Sequence, residues 1–520
     1  MLVNPKIFSF RLNHTVSLEA LSEKIVLSGF KLEALSSSKE QREFYDTFEG
    51  QAFGKRLVII KKQNALFLID LNTGKTITSA PFTNNNPSFF FDAFPPSTVR
   101  EELFSCSNIR AFSRLCTLDT ISCLYRILDD NRKIIATLSS ESLYLGVREN
   151  KEPFLILFSL SALRGYEEET AHVAQSLSTL EEVTTVLDFR EYFLLIMREA
   201  ECNVQGYSAK IMLTLNPDAP IHESARKLLQ FTCSVIRLNE EGIKKDIDSE
   251  FLHDYRVAIR RTRSVMKQLK GVFDERNTTY FLNLFKEFGK RTNELRDKDV
   301  YLLKKESYFN YLPPFLQPSL RLFFLDIATS RKPLHQRFCH YLSSSDYKSS
   351  MKEWEVFINH DALPGVEEAP NASRSTKDVA VESIKKSWKK VIRHGRQISR
   401  ATTDEELHAL RIDCKKLRYL LEFFSSIFPS ETIAPVIRQL KELQENLGDF
   451  VDFAVQLRFL HEQLATMGEE KLLAASMGGL MTTLFQKQEA ARLKFHKTFG
   501  SFDHEETGQL FHDLLTGNLS

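Results

Sequence analysis

The chain of 520 residues is short of several features that would have settled its class at once. Its seven cysteines (106, 116, 123, 202, 233, 339 and 414) form no Cys-x-x-Cys pair and cannot all pair internally. That argues against a disulfide framework and for reduced thiols in a cytosol. No uncharged run approaches the roughly 18 residues that a membrane span needs, and no apolar core of signal-peptide length follows Met1 to Lys6. A soluble, cytoplasmic protein with no membrane partner is therefore expected. Neither a nucleotide-binding glycine loop nor a Ser-His-Asp or Cys-His arrangement can be drawn from the chain, and no cofactor is implied. Excess charge is missing too. The net charge is +1; residues 1–200 carry three more acids than bases, and the remainder four more bases than acids. Neither half attracts nucleic acid indiscriminately.

Where cations do occur, they cluster. Between Glu250 and Lys267, at 3.6 residues per helical turn, His253, Arg256, Arg260, Arg263 and Lys267 fall in one narrow stripe, with Arg261 beside it. Val257, Val265, Met266 and Leu269 supply apolar contacts. Such a row repels itself unless solvent covers it or an anion lies along it. A basic helix face standing alone reads as solvated surface, but this one is written twice. Shifted by 155 residues, the pattern returns as Glu405, Leu407, His408, Arg411, Lys415, Lys416 and Arg418. The echo continues past the helix: Phe273 with Phe428, Lys286 with Lys441, Asp297 with Asp452, Val300 with Val455. An unshifted offset over roughly fifty residues signifies two copies of one multi-helix unit, with the function where the copies face each other. One position departs: Lys267 maps to Glu422, so the second row ends in an acid.

In chain order, residues 1–200 alternate short strand patterns (6–12, 56–60, 66–71, 124–128, 133–138, 142–148, 154–159) with helical ones (18–30, 170–180, 191–202), which predicts an α+β domain, mainly antiparallel β. Residues 201–221, with Gly206, Pro217 and Pro220, read as a connector. From 222 to 520 the pattern is almost wholly helical: a first repeat over 222–360, a Pro/Ala/Ser-rich linker over 361–376, and a second repeat over 377–500. Each repeat is about four helices, giving an all-α domain of two duplicated four-helix units.

The two motifs, His-x-x-Arg-Val-Ala-x-Arg-Arg-x-Arg at 253–263 and His-Ala-Leu-Arg-Ile-x-x-Lys-Lys-Leu-Arg-Tyr at 408–419, resemble the paired signature of the CHAD family, the conserved-histidine α-helical domain. Arg296-Asp297-Lys298-Asp299-Val300 is similar to its Arg-Asp-x-Asp-Val turn, and 443–449 to its Leu-Gln-Asp-x-Leu-Gly stretch, where the usual following Asn is Val451. The resemblance covers about 222–500. It implies a helical bundle that binds inorganic polyphosphate along a central basic surface, often at polyphosphate granules. On that basis the binding role falls to His253, Arg256, Arg260, Arg261, Arg263, His408, Arg411, Lys415, Lys416 and Arg418, with Lys267, Lys286, Lys290, Arg393, Arg396 and Lys441 as secondary candidates. The residue chemistry agrees independently. A string of closely spaced anions suits a row of cations; Arg forks to two oxygens, Lys supplies a point charge, and His adds a ring N–H donor.

Residues 5–160 resemble, more loosely, the CYTH or triphosphate-tunnel domain. The likeness rests on Phe44-Tyr45-Asp46-Thr47 before paired strands and on Tyr125 to Asp130 before another pair. Active members open on a Glu-x-Glu-x-Lys strand that holds a divalent metal. Here that strand is Phe8-Ser9-Phe10-Arg11-Leu12, and the following Leu-Arg-x-Arg strand is Leu57-Val58-Ile59-Ile60. Without carboxylates nothing there holds Mg²⁺ or Mn²⁺, so a degenerate, non-catalytic copy is expected and no metal site. Competing readings are a triphosphate-hydrolysing enzyme, against which the absent strand motif weighs, and a nucleic-acid or partner scaffold, against which the lack of aromatic residues in the stripe weighs. His253 and His408 can also be read as N-terminal-turn residues bonding to nearby backbone, and Arg296 with Asp297 and Asp299 as a helix-start salt-bridge cluster.

Overall fold

The computed structural model describes residues 7–12, 18–146, 152–179, 183–185, 188–360, 369–399, 401–466 and 470–516. The chain divides into two compact units, Met1–Ser208 and Ala209–Ser520.

Among the described residues of the first unit ten antiparallel strands form one sheet, nine side by side and the tenth, Ser88–Phe89, paired on Phe112–Leu128 off that order. Its centre is the pair Lys31–Asp46 and Phe112–Leu128, in register along almost their whole length. To one side lie Leu57–Lys62, Ala65–Asp70 and Thr76–Pro81; to the other lie Ile134–Leu145, Leu155–Ala162, Ile7–Leu12 and Val183–Thr185. The continuous apolar run 57–60 is explained by burial on both faces. Val58 and Ile60 join Phe44, Leu118 and Phe193 in one core, whereas Leu57 and Ile59 join Tyr45, Phe89 and Leu103 in another. The helices Leu18–Leu27 and Glu167–Ser178 cover a third cluster through Ile25, Val173 and Leu177. The two short strand patterns expected at 133–138 and 142–148 are one strand, Ile134–Leu145, and residues 147–148 of that expectation lie outside the described residues.

The second unit is helical throughout. Its first copy comprises Ile221–Lys244, Ser249–Gln268, Glu275–Arg291, Asn293–Leu303, Lys305–Asn310, Gln317–Ser343 and Ser345–Asn359. Its second comprises Thr376–Arg396, Asp404–Phe423, Ser430–Thr466, Lys471–Phe502 and Glu505–Thr516. Among the described residues seven and five helices stand where about four were expected for each copy. The counts differ because the second copy runs unbroken through Ser430–Thr466, where the first is interrupted at Thr292 and again at Lys304. Helices starting at Ile221, Ser249 and Glu275 have counterparts starting at Thr376, Asp404 and Ser430, each 155 residues on, and the closing helices correspond at a shift of 160, Ser345 with Glu505. Of the expected linker, 361–368 lie outside the described residues. The rest turns back onto the first copy, Asn371 donating its backbone N–H to Gly271 O at 2.8 Å.

The copies are related by an approximate two-fold axis that can be read from hydrogen bonds alone. Pro220 bridges Ser375, its own equivalent. Ile221 N–H donates to Arg374 O at 2.8 Å, and the equivalent pair, Thr376 N–H to Ala219 O, closes at 2.9 Å. A reciprocal contact of this kind is the mark of an isologous interface, here formed within one chain.

Candidate functional site

Helix Ser249–Gln268 turns Phe251, Leu252, Tyr255, Ala258, Ile259, Thr262, Val265 and Met266 inward, a three-and-four spacing that leaves the cationic stripe on the other side. Asp248 caps it, accepting from the N–H groups of Glu250 and Phe251. At the equivalent position of the second copy, Thr403 caps Asp404–Phe423 in a capping box with Glu406. The two helices pack against one another, and their stripes meet around the pseudo-two-fold.

A groove of about 450 Å³ lies there. The equivalent residues Arg260 and Lys415 both line it, as do the equivalents Ser264 and Tyr419, together with Arg263, Lys267, His408, Arg411 and Lys416. Arg260 and Arg263 also line an adjoining pocket of about 310 Å³ with Arg256, Lys286, Lys290 and Asn293. His408 and Arg411 also line a pocket of about 410 Å³ with Lys304 and Arg458, into which the equivalents Asp297 and Asp452, and Val300 and Val455, both reach. Shared side chains make these three stretches of one trough. It is strongly cationic at the first-copy end and mixed in charge at the other.

Not every predicted cation is free to meet a ligand. Arg256 donates from Nη1 to Gly289 O at 3.1 Å, to Asn293 Oδ1 at 3.0 Å and to Thr292 Oγ1, and so caps the helix that breaks at Thr292. Its equivalent Arg411 donates to Asp452 at 3.1 Å. Arg261 bonds Ala209 O and pairs with Glu422 at 3.2 Å. Arg418 pairs with the same Glu422 at 2.6 Å and donates to Gln444 at 3.2 Å. Glu422 therefore neutralises one arginine from each copy, and the acid that ends the second row acts as an internal partner. Lys416 shares the buried Asp413 with Lys390 and His394, and Lys290 pairs with Glu287 at 2.8 Å.

Arg260, Arg263, Lys267, Lys286, His408 and Lys415 make no hydrogen bond or ion pair among the described residues. The Nε atoms of Arg260, Arg261, Arg263 and Arg411 are moreover shielded from solvent with no acceptor among the described residues. Crowding of like charge leaves its mark. Burial, then Arg411 and Arg260, push the Lys415 ammonium down to about 8. Burial, then Arg411, Lys415 and Arg458, lower His408. Burial and Arg260 bring even Arg256 down to about 10.

His253 lines none of the three pockets. Its Nδ1 lies 2.9 Å from Arg296 Nη2. A guanidinium can only donate, so Nδ1 is the acceptor and any ring proton of the neutral imidazole sits on Nε2. Arg296 also bonds Ser249 O at 3.0 Å and pairs with Glu250 at 3.5 Å. The equivalent of Arg296 is Val451, which lines the pocket beside His408, so the two histidines are not equivalent in their surroundings. Asp299 pairs with Arg331 rather than with Arg296. Three secondary candidates fall elsewhere. Arg393 and Arg396 line a different cavity, Arg396 in a two-bonded pair with Asp503 at 2.7 and 2.8 Å. Lys441 is exposed beside Glu445 at 3.6 Å. Conversely, Lys304 and Arg458 belong to the trough and escape a search by recurrence, because their equivalents are Phe459 and Leu303.

No group of three or more His, Cys, Asp or Glu side chains among the described residues is placed to hold a metal ion, and no helix among them is long and apolar enough to cross a membrane.

The CHAD domain family model matches residues 227–461. No curated protein matches the chain. Among solved structures the chain is similar to the CHAD domain from the plant Ricinus communis, at 22% identity and TM-score 0.47, over 55% of this chain and 95% of that one. It is also similar to PptA from Streptomyces chartreusis, at 14% identity and TM-score 0.40, over 54% of this chain and 99% of that one.

Proposed function

The chain carries a CHAD domain, and from that premise we propose that it binds inorganic polyphosphate along the trough between its two helical copies, without turning it over. The observation that carries this reading is the groove that the equivalents Arg260 and Lys415 line together. Cations from both copies converge there, and Arg260, Arg263, Lys267 and Lys415 are not spent on internal partners. A compact anion engages only part of such a trough. A linear one lies along its three stretches and replaces mutual repulsion with hydrogen bonds to charged groups, each contributing about 1.5–3 kcal/mol.

The first unit is read as a degenerate CYTH-like domain without catalysis, since the opening strand Ile7–Leu12 offers no carboxylate to a metal. Cytoplasmic placement at polyphosphate granules belongs to the same reading.

A titration of the full chain with long-chain polyphosphate tests it. Arg260→Ala with Lys415→Ala is the informative pair, because neither side chain holds the fold together through a hydrogen bond. Loss of two charged contacts weakens binding by roughly a hundredfold or more. Parent-like affinity in that variant refutes the site. Displacement of polyphosphate by duplex DNA at equal salt would favour a nucleic-acid scaffold instead, and metal-dependent phosphate release from triphosphate would favour an enzyme.

A further inference from the structure

The internal duplication exposes a second difference between the copies, remote in residue content from the trough. In the first copy the closing helix Ser345–Asn359 packs on the opening helix Ile221–Lys244. The space beside it is filled by Trp354, whose ring lies 4.9, 4.8 and 5.6 Å from those of Phe281, Phe285 and Phe357. The second copy has smaller apolar side chains there. The closing helices start 160 residues apart, at Ser345 and Glu505, so the buried Tyr347, Met351 and Trp354 correspond to the buried Thr507, Phe511 and Leu514, and the equivalents of Phe281 and Phe285 are Val436 and Leu440. Its closing helix Glu505–Thr516 packs on Ser430–Thr466 and meets the opening helix Thr376–Arg396 through one stacked pair, Trp388 on Phe511, at 4.6 Å and 9°.

A cavity of about 1010 Å³ opens between the opening and closing helices of the second copy. Trp388, Ile392 and Phe502 give it an apolar wall, Gly508 leaves it wide, and Lys389 and Arg393 stand at the rim without an ion-pair partner among the described residues. Arg396 is already neutralised by Asp503, and Glu505 is the remaining acid in the lining. An apolar wall with a few convergent charges, in a space of this size, matches small-molecule sites in general.

We propose that this cavity is a second binding site, separate from the trough, for a small flat aromatic anion. The ring system would lie against Trp388, Ile392 and Phe502, and the acid group would meet Arg393 and Lys389. The inference does not depend on the polyphosphate reading.

The test uses the full chain and anilinonaphthalene sulfonate, an aromatic sulfonate whose fluorescence rises in apolar surroundings. One saturable site is expected. Gly508→Leu fills the cavity from within: a Cβ at that position meets no atom within 4 Å, so the helix need not move. It should weaken dye binding at least tenfold and leave polyphosphate affinity unchanged. Arg393→Glu, at an exposed rim position, reverses one charge without touching the apolar wall and should weaken dye binding about tenfold. It decides the matter if Gly508→Leu fails to fold. Parent-like dye affinity in the folded variants overturns the proposal, as does absence of a saturable site in the parent. Displacement of the dye by stoichiometric polyphosphate would make the cavity part of the polyanion site and overturn its independence.

Discussion

Lys415 ties the trough's geometry to a pH-dependent affinity. In the empty protein it faces Arg411, Arg260 and Arg418, with only Asp452 of opposite sign, and its ammonium is lowered to about 8. A phosphate chain in the groove supplies the missing countercharge and carries the group back toward its ordinary value of about 10.4. Binding therefore takes up a proton wherever the free lysine is neutral, and affinity falls as pH rises through the lower value. For this residue alone the loss between pH 7 and pH 9 is about tenfold, since at pH 9 only about one free molecule in eleven carries the charge that the complex requires. The inner phosphates of the chain stay ionised throughout, so the slope belongs to the protein. Isothermal titration with long-chain polyphosphate at several pH values, in buffers of different ionisation enthalpy, reads both the affinity and the proton uptake. Lys415→Arg keeps a charge that does not titrate in this window and should flatten that component. A parent profile without slope from 7 to 9, or an equal slope in Lys415→Arg, refutes the reasoning. Stability runs the other way. The folded value lies below the unfolded one, so between about pH 8 and 10 the unfolded chain binds more protons at this site, and the empty protein gains stability as pH rises.

Three further outcomes follow from named contacts. Glu422→Gln removes the anion shared by Arg261 and Arg418 and should cost about 2 kcal/mol in urea unfolding while raising polyphosphate affinity; an unchanged unfolding midpoint would show the triad to be idle. Arg296→Leu deprives His253 Nδ1 of its donor, so nitrogen chemical shifts at pH 8 should change from a single Nε2–H tautomer in the parent to a mixture, and a parent that is already mixed contradicts the assignment. Gly242→Ala places a methyl on the ring of Phe251 and should cost about 1–3 kcal/mol, seen as a lower melting temperature for the helical unit; a parent-like melt would mean that the helices yield there freely.

The helical half was legible because two independent signals agreed: the three-and-four apolar spacing, and its return after 155 residues. The same offset reaches helices that its residue matches never touched, such as Ile221–Lys244 and Thr376–Arg396, since packing around a pseudo-two-fold constrains shape more than identity. The sheet was harder. Lys31–Asp46 begins with a run of mostly exposed polar residues that shows neither alternation nor β propensity; its strand state is imposed by pairing with Phe112–Leu128. Helix Thr98–Cys106 buries only Val99 and Leu103 over nine residues, too little for a periodic signal.

At the site, recurrence located the cations but could not say which were spent, because their partners come from other elements: Glu422 for Arg261, Thr292 and Gly289 for Arg256, Asp413 for Lys416. The departures from recurrence carry as much as the matches. Lys267 becomes Glu422, Lys290 becomes Glu445 and Arg296 becomes Val451, and each exchange removes a cation from the second copy. The two-fold is thus kept in the backbone and broken in the charge. At the first-copy end Arg260, Arg263, Lys267 and Lys286 have no internal partner among the described residues, whereas at the other Asp452 already holds Arg411 and stands with Asp297 in the pocket wall. A polyanion bound as proposed is held by its first-copy end, and substitutions there should weaken binding more than their equivalents in the second copy: Arg263→Ala more than Arg418→Ala, whose side chain is already committed to Glu422. Equal losses from that pair, measured side by side at one salt concentration, would mean that the ligand displaces Glu422 and that the asymmetry of the empty protein does not survive binding.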